Sequence, residues 1–343
     1  MSIVGGVFSE TVLKNIQVRA DQIAFDEILK QDFTANVDVL KALMQTQTAR
    51  IEPILNRNGK DNIVEVSWMN ACDIEDQECY PCYIGGEELS TNSEEKELDL
   101  CREAPFYVND TTFRNNFHDA EEATAKGFVA ADKAICEYLA VQAVNWLNTA
   151  KGNNAVTVGK GIVIGTDTFV LPAYWNASLM AYFARVASIN KLTGPVLISG
   201  NQLYEQIWLA AMEKAQSGQE GNILKFGAFK TYFDLFNIDQ VNTPDLITYM
   251  VNRGAFALAN RTRFTPQVVT YQDRKVWSMP SKFLPGINLD VEYENECDYY
   301  ANTYPAGQVH SFKLTFNGGM FLNPIGCEEG RTGVLTFVCG DGT

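Results

Sequence analysis

The 343-residue sequence predicts a mixed α+β fold, and three observations carry that prediction. A long stretch in the first half repeats its apolar residues at helical spacing. The middle third alternates short apolar runs with amphipathic stretches, and the last third is a series of β-branched and aromatic runs separated by Gly, Pro and Asn.

The elements follow in chain order. Residues 9–50 read as helix in one or two pieces, with Val12, Ile16, Ile23, Ile28, Leu29, Val39, Leu40 and Leu43 recurring at helical spacing. Pro53 and the turn Asn56-Arg57-Asn58-Gly59 end it. Ile63 to Met69 has strand character. Residues 70–100 hold few large apolar side chains, so this piece lacks the means to form its own core. It reads as a two-armed excursion whose arms pair with each other, the return arm running from Lys96 to Val108.

The longest helix is expected from Phe117 to Leu147. Asn115 or Asn116 caps it, Asp119, Glu121 and Glu122 suit the positive end of its dipole, and Lys151-Gly152 closes it. Phe128, Ala131, Ile135, Leu139, Ala143 and Trp146 form its apolar stripe. At ~1.5 Å per residue it spans roughly 45 Å, the length of a strut.

In the middle third, Gly161–Ile164 and Pro195–Gly200 read as strands, and Tyr174–Ile189 and Leu203–Gln216 as helices. Short apolar segments follow around Phe226 and over Phe233–Phe236. Thr243-Pro244 signals the start of another helix, through Ala259. Strands are expected at Val268–Tyr271, Val276-Trp277, Leu289–Tyr293, His310–Phe316 and Val334–Val338.

Composition narrows the function. The net charge of -15 argues against a nucleic-acid groove, which needs clustered Lys and Arg. No apolar run approaches the ~18 residues of a membrane span, and nothing near Met1 has the form of a signal peptide. The eight cysteines are therefore expected as thiols in a reducing cytoplasm.

The search for catalytic chemistry returns no motif. The two histidines, His118 and His310, lie far apart in the chain, and no G-x-S-x-G, P-loop, H-E-x-x-H or EF-hand pattern is present. Gly159 to Gly165 has the wrong spacing for a phosphate loop and leads into a strand. The expectation is no enzyme, with no catalytic residues and no cofactor. Cys79 and Cys82 form a C-x-x-C, with Cys72 before and Cys101 after it. Four thiolates there are one way to brace a coreless loop with zinc; disulfides and unpaired thiols are the other readings. Cys136 reads as helix core, and the acidic runs Asp73–Glu78 and Glu292–Asp298 as solvated faces without calcium-loop spacing.

The order of parts resembles that of the major capsid proteins of tailed bacteriophages, the Johnson fold. The segment His310-Ser311-Phe312-Lys313-Leu314, followed by Asn317 to Pro324, is similar to the C-terminal strands of such proteins. The resemblance implies an N-terminal arm and helix at 1–59, an E-loop at 60–110 and a spine helix at 111–154. It places an A-domain at 155–263 and P-domain strands at 264–343. It implies copies assembled as pentamers and hexamers in an icosahedral shell around DNA, with portal, scaffold and cement proteins as partners. The protein would be made in the host cytoplasm and end in the virion capsid. Lys60 and Lys96 lie in or near the loop from which some relatives cross-link, and neither matches a motif. No room for a cleaved scaffolding segment is seen, so a separate scaffold is expected. Two alternatives stay open: an encapsulin-like nanocompartment shell, and a zinc-braced binding protein using the Cys72–Cys101 loop.

Overall fold

The computed structural model describes residues 8–25, 34–53, 63–69, 91–109, 120–152, 161–176, 179–200, 203, 205, 223–226, 229–234, 236–241, 247–271, 274–297, 308–323 and 332–340. The fold is mixed α+β, and the chain divides into two compact units, each assembled from three stretches of sequence.

The first unit comprises Met1–Val37, Asp99–Leu139 and Asn260–Gly319. Its first helix, α1 (Glu10–Phe25), buries Leu13, Ile16, Ala20, Ile23 and Ala24, the single stripe of an amphipathic helix. The strands here are β4 (Leu100–Asn109), β12 (Val269–Tyr271), β13 (Arg274–Pro280), β14 (Asn288–Cys297) and β15 (Gln308–Leu322). They pair antiparallel in the order β12-β13-β14-β15-β4. The pairing of β4 with β15 runs from Asn109↔Val309 to Leu100↔Gly318 and is long-range in sequence. One face of the sheet carries Trp277, Leu289, Val291, Tyr293, Phe312 and Leu314, all buried. Against it lies the first part of α3 (Ala120–Ala150), whose Phe128 meets Phe312 and Trp277 edge-on at centroid distances of 5.1 and 6.3 Å. Each large side chain so buried contributes about 1.5–3 kcal/mol of hydrophobic stabilisation.

The second unit comprises Asp38–Leu98, Ala140–Ala259 and Met320–Thr343. It contains α2 (Asp38–Thr46), the remainder of α3, α4 (Leu179–Ile189) and the short α5 (Asn237–Val241). A mixed sheet takes β5 (Gly161–Ile164), β6 (Asp167–Val170), β7 (Val196–Ser199), β8 (Ile223–Phe226), β9 (Phe229–Phe233), β10 (Ile247–Val251) and β16 (Val334–Cys339). Their order is β5-β6-β16-β10-β7-β9-β8. The last strand of the chain thus threads between β6, to which it is parallel, and β10. Leu179, Phe183 and Val186 of α4 pack with Leu197, Phe233, Met250, Leu335 and Phe337 of this sheet.

A smaller antiparallel sheet in the same unit joins β1 (Arg50–Pro53), β2 (Ile63–Met69) and β3 (Thr91–Glu97). β2 alternates, burying Val64, Val66 and Trp68. These pack with Leu98 and with Ala257 and Ala259 of β11 (Phe256–Asn260).

Three sequence expectations are corrected here. The stretch to Ala259 read as a helix is two strands, β10 and β11. Thr248 to Val251 are all buried between β7 and β16, and a run of Ile, Thr, Tyr and Val suits that double-sided burial better than a helix. Gly254 makes the turn between them at φ +88°, a conformation costly for other residues. The return arm of the excursion is Thr91–Glu97, not Lys96–Val108; the chain breaks at Leu98-Asp99 and β4 departs to pair with β15. The helix expected from Tyr174 starts at Leu179, after a 3-10 turn at Pro172–Tyr174, where Pro172 favours the turn. Of the helix expected over Leu203–Gln216 only Leu203 and Glu205 are described.

Candidate functional site

The sequence-derived zinc set is described only in part. Cys72, Cys79 and Cys82 lie outside the described residues; Cys101 stands exposed on β4, opposite Asn317 of β15, and is not in a disulfide. Among the described residues no group of three or more His, Cys, Asp or Glu is placed to hold a metal ion. His118, Lys60 and the acidic run Asp73–Glu78 also fall outside the described residues. Lys96 is described, its ammonium 2.5 Å from Glu94 two positions back on β3.

Of the remaining acidic run, the described carboxylates Glu292 and Glu294 are both paired. Glu292 and Glu294 on β14 meet the Arg274 guanidinium at 3.4 and 2.9 Å, and Glu292 also meets Lys313 at 3.0 Å. Burial pulls the Lys313 ammonium down, but Glu292 and Glu103 outweigh it and hold its pKa above the ordinary lysine value. These cross-strand pairs are solvent-facing and contribute modestly to stability.

The first unit contains two buried polar constellations that sequence reading did not find. One surrounds Asp132 on α3. Its carboxylate accepts hydrogen bonds from Ser281 Oγ at 2.8 Å, the Lys282 backbone N–H at 2.5 Å and Cys136 Sγ at 3.2 Å. Ser281 Oγ in turn accepts from the N–H groups of Phe283 and Leu284 at 3.3 and 3.2 Å. Burial pushes the Asp132 carboxyl above its ordinary value, against the pull of these donors and of Lys282. The Lys282 ammonium pairs with Asp21 of α1, so the loop after β13 ties α1 and α3 together. This is a structural fastening: its nucleophiles are held as turn and carboxylate partners.

The second constellation lies at the start of the described chain. Phe8, 2% exposed, stacks on the His310 imidazole with ring centroids 4.0 Å apart. Its N–H donates to Tyr293 Oη at 3.1 Å, and that hydroxyl lies 2.9 Å from His310 Nδ1. Lys275 Nζ donates to the Phe8 carbonyl and sits 6.0 Å above the Tyr293 ring. Neither constellation carries a local motif; each needs partners from distant strands.

Two surfaces are notable for what they expose. On β3, the side chains of Ser93 to Glu97 include no buried member, so this stretch adds no core to the sheet that holds it. In the first unit, Val18 and Phe25 of α1, Tyr107 of β4 and all three residues of β12 are exposed. In the second, Ile162 and Ile164 of the edge strand β5 are exposed, as are Leu171, Tyr174 and Phe236.

No family model matches the sequence, and no curated protein matches it. Solved structures of phage capsids do resemble it. The chain is similar to a chain of the Cyanophage Pam1 capsid, with a TM-score of 0.46 and 9% identity over 81% of this chain and 85% of that one. For the capsid of Cyanophage P-SCSP1u the TM-score is 0.45 and the identity 10%, over 82% and 84% of the two chains. For the capsid of Ralstonia phage GP4 they are 0.42 and 10%, over 81% and 84%.

Proposed function

We propose that this protein is a shell subunit, the major capsid protein of a tailed-phage particle, and that it works by self-association. The observation that carries the reading is the sequence of elements from β2 to α3. A strand anchored by Trp68 departs, a return strand without buried side chains between Ser93 and Glu97 comes back, and a 31-residue helix follows. An arm of that kind gains little from its own subunit and much from lying on a neighbour. The apolar side chains exposed on β12 and β5 are of the kind that assembly covers.

In this reading residues 60–110 are the E-loop, 111–154 the spine helix, 155–263 the A-domain and 264–343 the P-domain strands, behind an N-terminal arm at 1–59. Copies close into pentamers and hexamers of an icosahedral shell, with portal, scaffold and cement proteins as partners and DNA as an unspecifically held content. The protein is made in the host cytoplasm and ends in the virion capsid. Size-exclusion chromatography with light scattering tests this. Capsomers or shells many times the 38.2 kDa chain mass are expected. A stable monomer at all concentrations, with or without bound zinc, would contradict it.

A further inference from the structure

We propose that the solvent-facing side of α1 is a contact between two copies of this chain, packed antiparallel about a two-fold axis beside Val18. The proposal rests on the shell reading above and adds the face, register and symmetry of one contact. Leu13, Ile16, Ala20, Ile23 and Ala24 are buried, so one side of α1 is held by its own chain. Asp21 pairs with Lys282, and Arg19 with Glu122 at 3.8 Å, which fixes the helix from both flanks. At ~100° per residue the opposite side carries Thr11, Lys14, Asn15, Val18, Gln22 and Phe25, and all six are exposed. Val18 is 57% and Phe25 72% exposed, and their spacing of two helical turns puts both in the middle of that side.

The charges on this side select the occupant and its direction. In a chain of net charge -15, surfaces in general repel their own copy. From Thr11 to Phe25 the stripe carries one cation, Lys14, with the Asp21 carboxylate along its edge, and so has no net charge. A half-turn about an axis beside Val18 sets each residue against the one equally far on the other side of Val18. Val18 then meets Val18 of the partner subunit, and Thr11 meets Phe25 of the partner subunit. Lys14 meets Gln22 of the partner subunit, whose amide oxygen accepts from the ammonium. Asp21 meets Asn15 of the partner subunit, whose amide nitrogen donates to the carboxylate. A parallel pair in register would instead oppose Lys14 to Lys14 and Asp21 to Asp21. The size of the face decides when the contact forms. Sixteen residues make a helix of about 24 Å, and two such helices bury well under the ~800 Å² per partner of a stable interface. The contact therefore closes between copies that a shell already holds together, where the effective concentration is high.

Cysteine cross-linking in assembled particles reads the symmetry directly. Val18→Cys, Phe25→Cys and the double variant Thr11→Cys/Phe25→Cys are treated with a short bis-maleimide, and linked peptides are identified by mass spectrometry. The wild type, with its eight cysteines, supplies the background. Val18→Cys is expected to give a peptide linked 18 to 18, because a residue on the axis meets itself. Phe25→Cys alone is expected to give nothing above background, and the double variant a peptide linked 11 to 25. Shells without the 18–18 link, or with a 25–25 link as strong, would overturn this contact and leave the shell reading standing. A wild type that forms no particles would sink the shell reading and the contact with it. Val18→Asp needs no cross-linker: it sets two carboxylates beside the axis and is expected to raise the concentration required for assembly about tenfold. An unchanged threshold would also overturn the contact.

Discussion

Adding one methyl group at Gly127 sets two physical effects against each other. Gly127 sits within α3, where glycine is less favourable than alanine by about 1 kcal/mol. On helix propensity alone, Gly127→Ala stabilises. However, a Cβ built there lies 2.4 Å from Phe106 Cε2, 2.7 Å from Cδ2 and 2.9 Å from Cζ, far inside van der Waals contact. The Phe106 ring is half-buried and held on two sides. It stacks on Phe312 at 5.1 Å and meets Phe128 edge-on at 5.4 Å. Overpacking of this kind costs about 1–3 kcal/mol, and a ring pinned by two neighbours belongs in the upper part of that range. The net expectation is a loss of about 1–2 kcal/mol. Urea denaturation of Gly127→Ala, Phe106→Leu and the double variant checks it. In the Phe106→Leu background the alanine should be neutral or stabilising, giving a coupling of about 1–3 kcal/mol. Stabilisation by Gly127→Ala in the wild-type background would refute the reasoning.

Two further outcomes follow from the same packing. Asp132 has a folded pKa raised above its unfolded value, so the folded state holds its proton more tightly. Its contribution to stability is therefore greatest in acid and is lost as pH rises from the ordinary carboxylate range through the raised value. Urea midpoints of wild type and Asp132→Asn, compared between pH 4 and 7, should show the wild type losing ground as pH rises; a gap moving the other way would mean that Lys282 dominates the site. Trp68→Ala removes the largest side chain anchoring the β1-β2-β3 sheet, a loss of about 3 kcal/mol. Exchange protection in residues 63–69 and 91–97 should fall on the order of 100-fold while β13 and β14 stay unchanged; equal loss in both regions would show that the sheet is not separately held.

The parts of the fold legible in sequence are those whose signals are local. The α3 stripe from Phe128 to Trp146 is read from its own spacing; the structure buries Phe128, Ala131, Ile135, Leu139 and Ala143 and leaves Trp146 half-buried. The strands near Trp277, Tyr293, Phe312 and Phe337 are bounded by their own turn residues, and all four side chains are buried. What was not legible depends on distant partners. Nothing in Leu100–Asn109 says that it pairs with Val309–Gly318, and nothing in Val334–Cys339 says that it inserts between β6 and β10. The run from Ile247 to Val251 is short and wholly apolar apart from Thr248, so its period cannot separate helix from buried strand; the preceding Thr-Pro signal tipped the reading the wrong way. The Phe8 slot is invisible for the same reason, since its partners Lys275, Tyr293, His310 and Phe312 come from β13, β14 and β15. His310 is buried and hydrogen-bonded to a tyrosine one strand away, a partner that its own neighbourhood in the sequence does not signal.

The central claim is that this chain builds a shell in which the β2–β3 excursion lies on a neighbouring subunit. Electron cryomicroscopy of the purified, self-assembled protein tests it most directly. The account predicts closed icosahedral particles, with Thr91–Glu97 in contact with the adjacent copy. Discrete monomers under assembling conditions, or particles in which that strand faces only solvent, would contradict it.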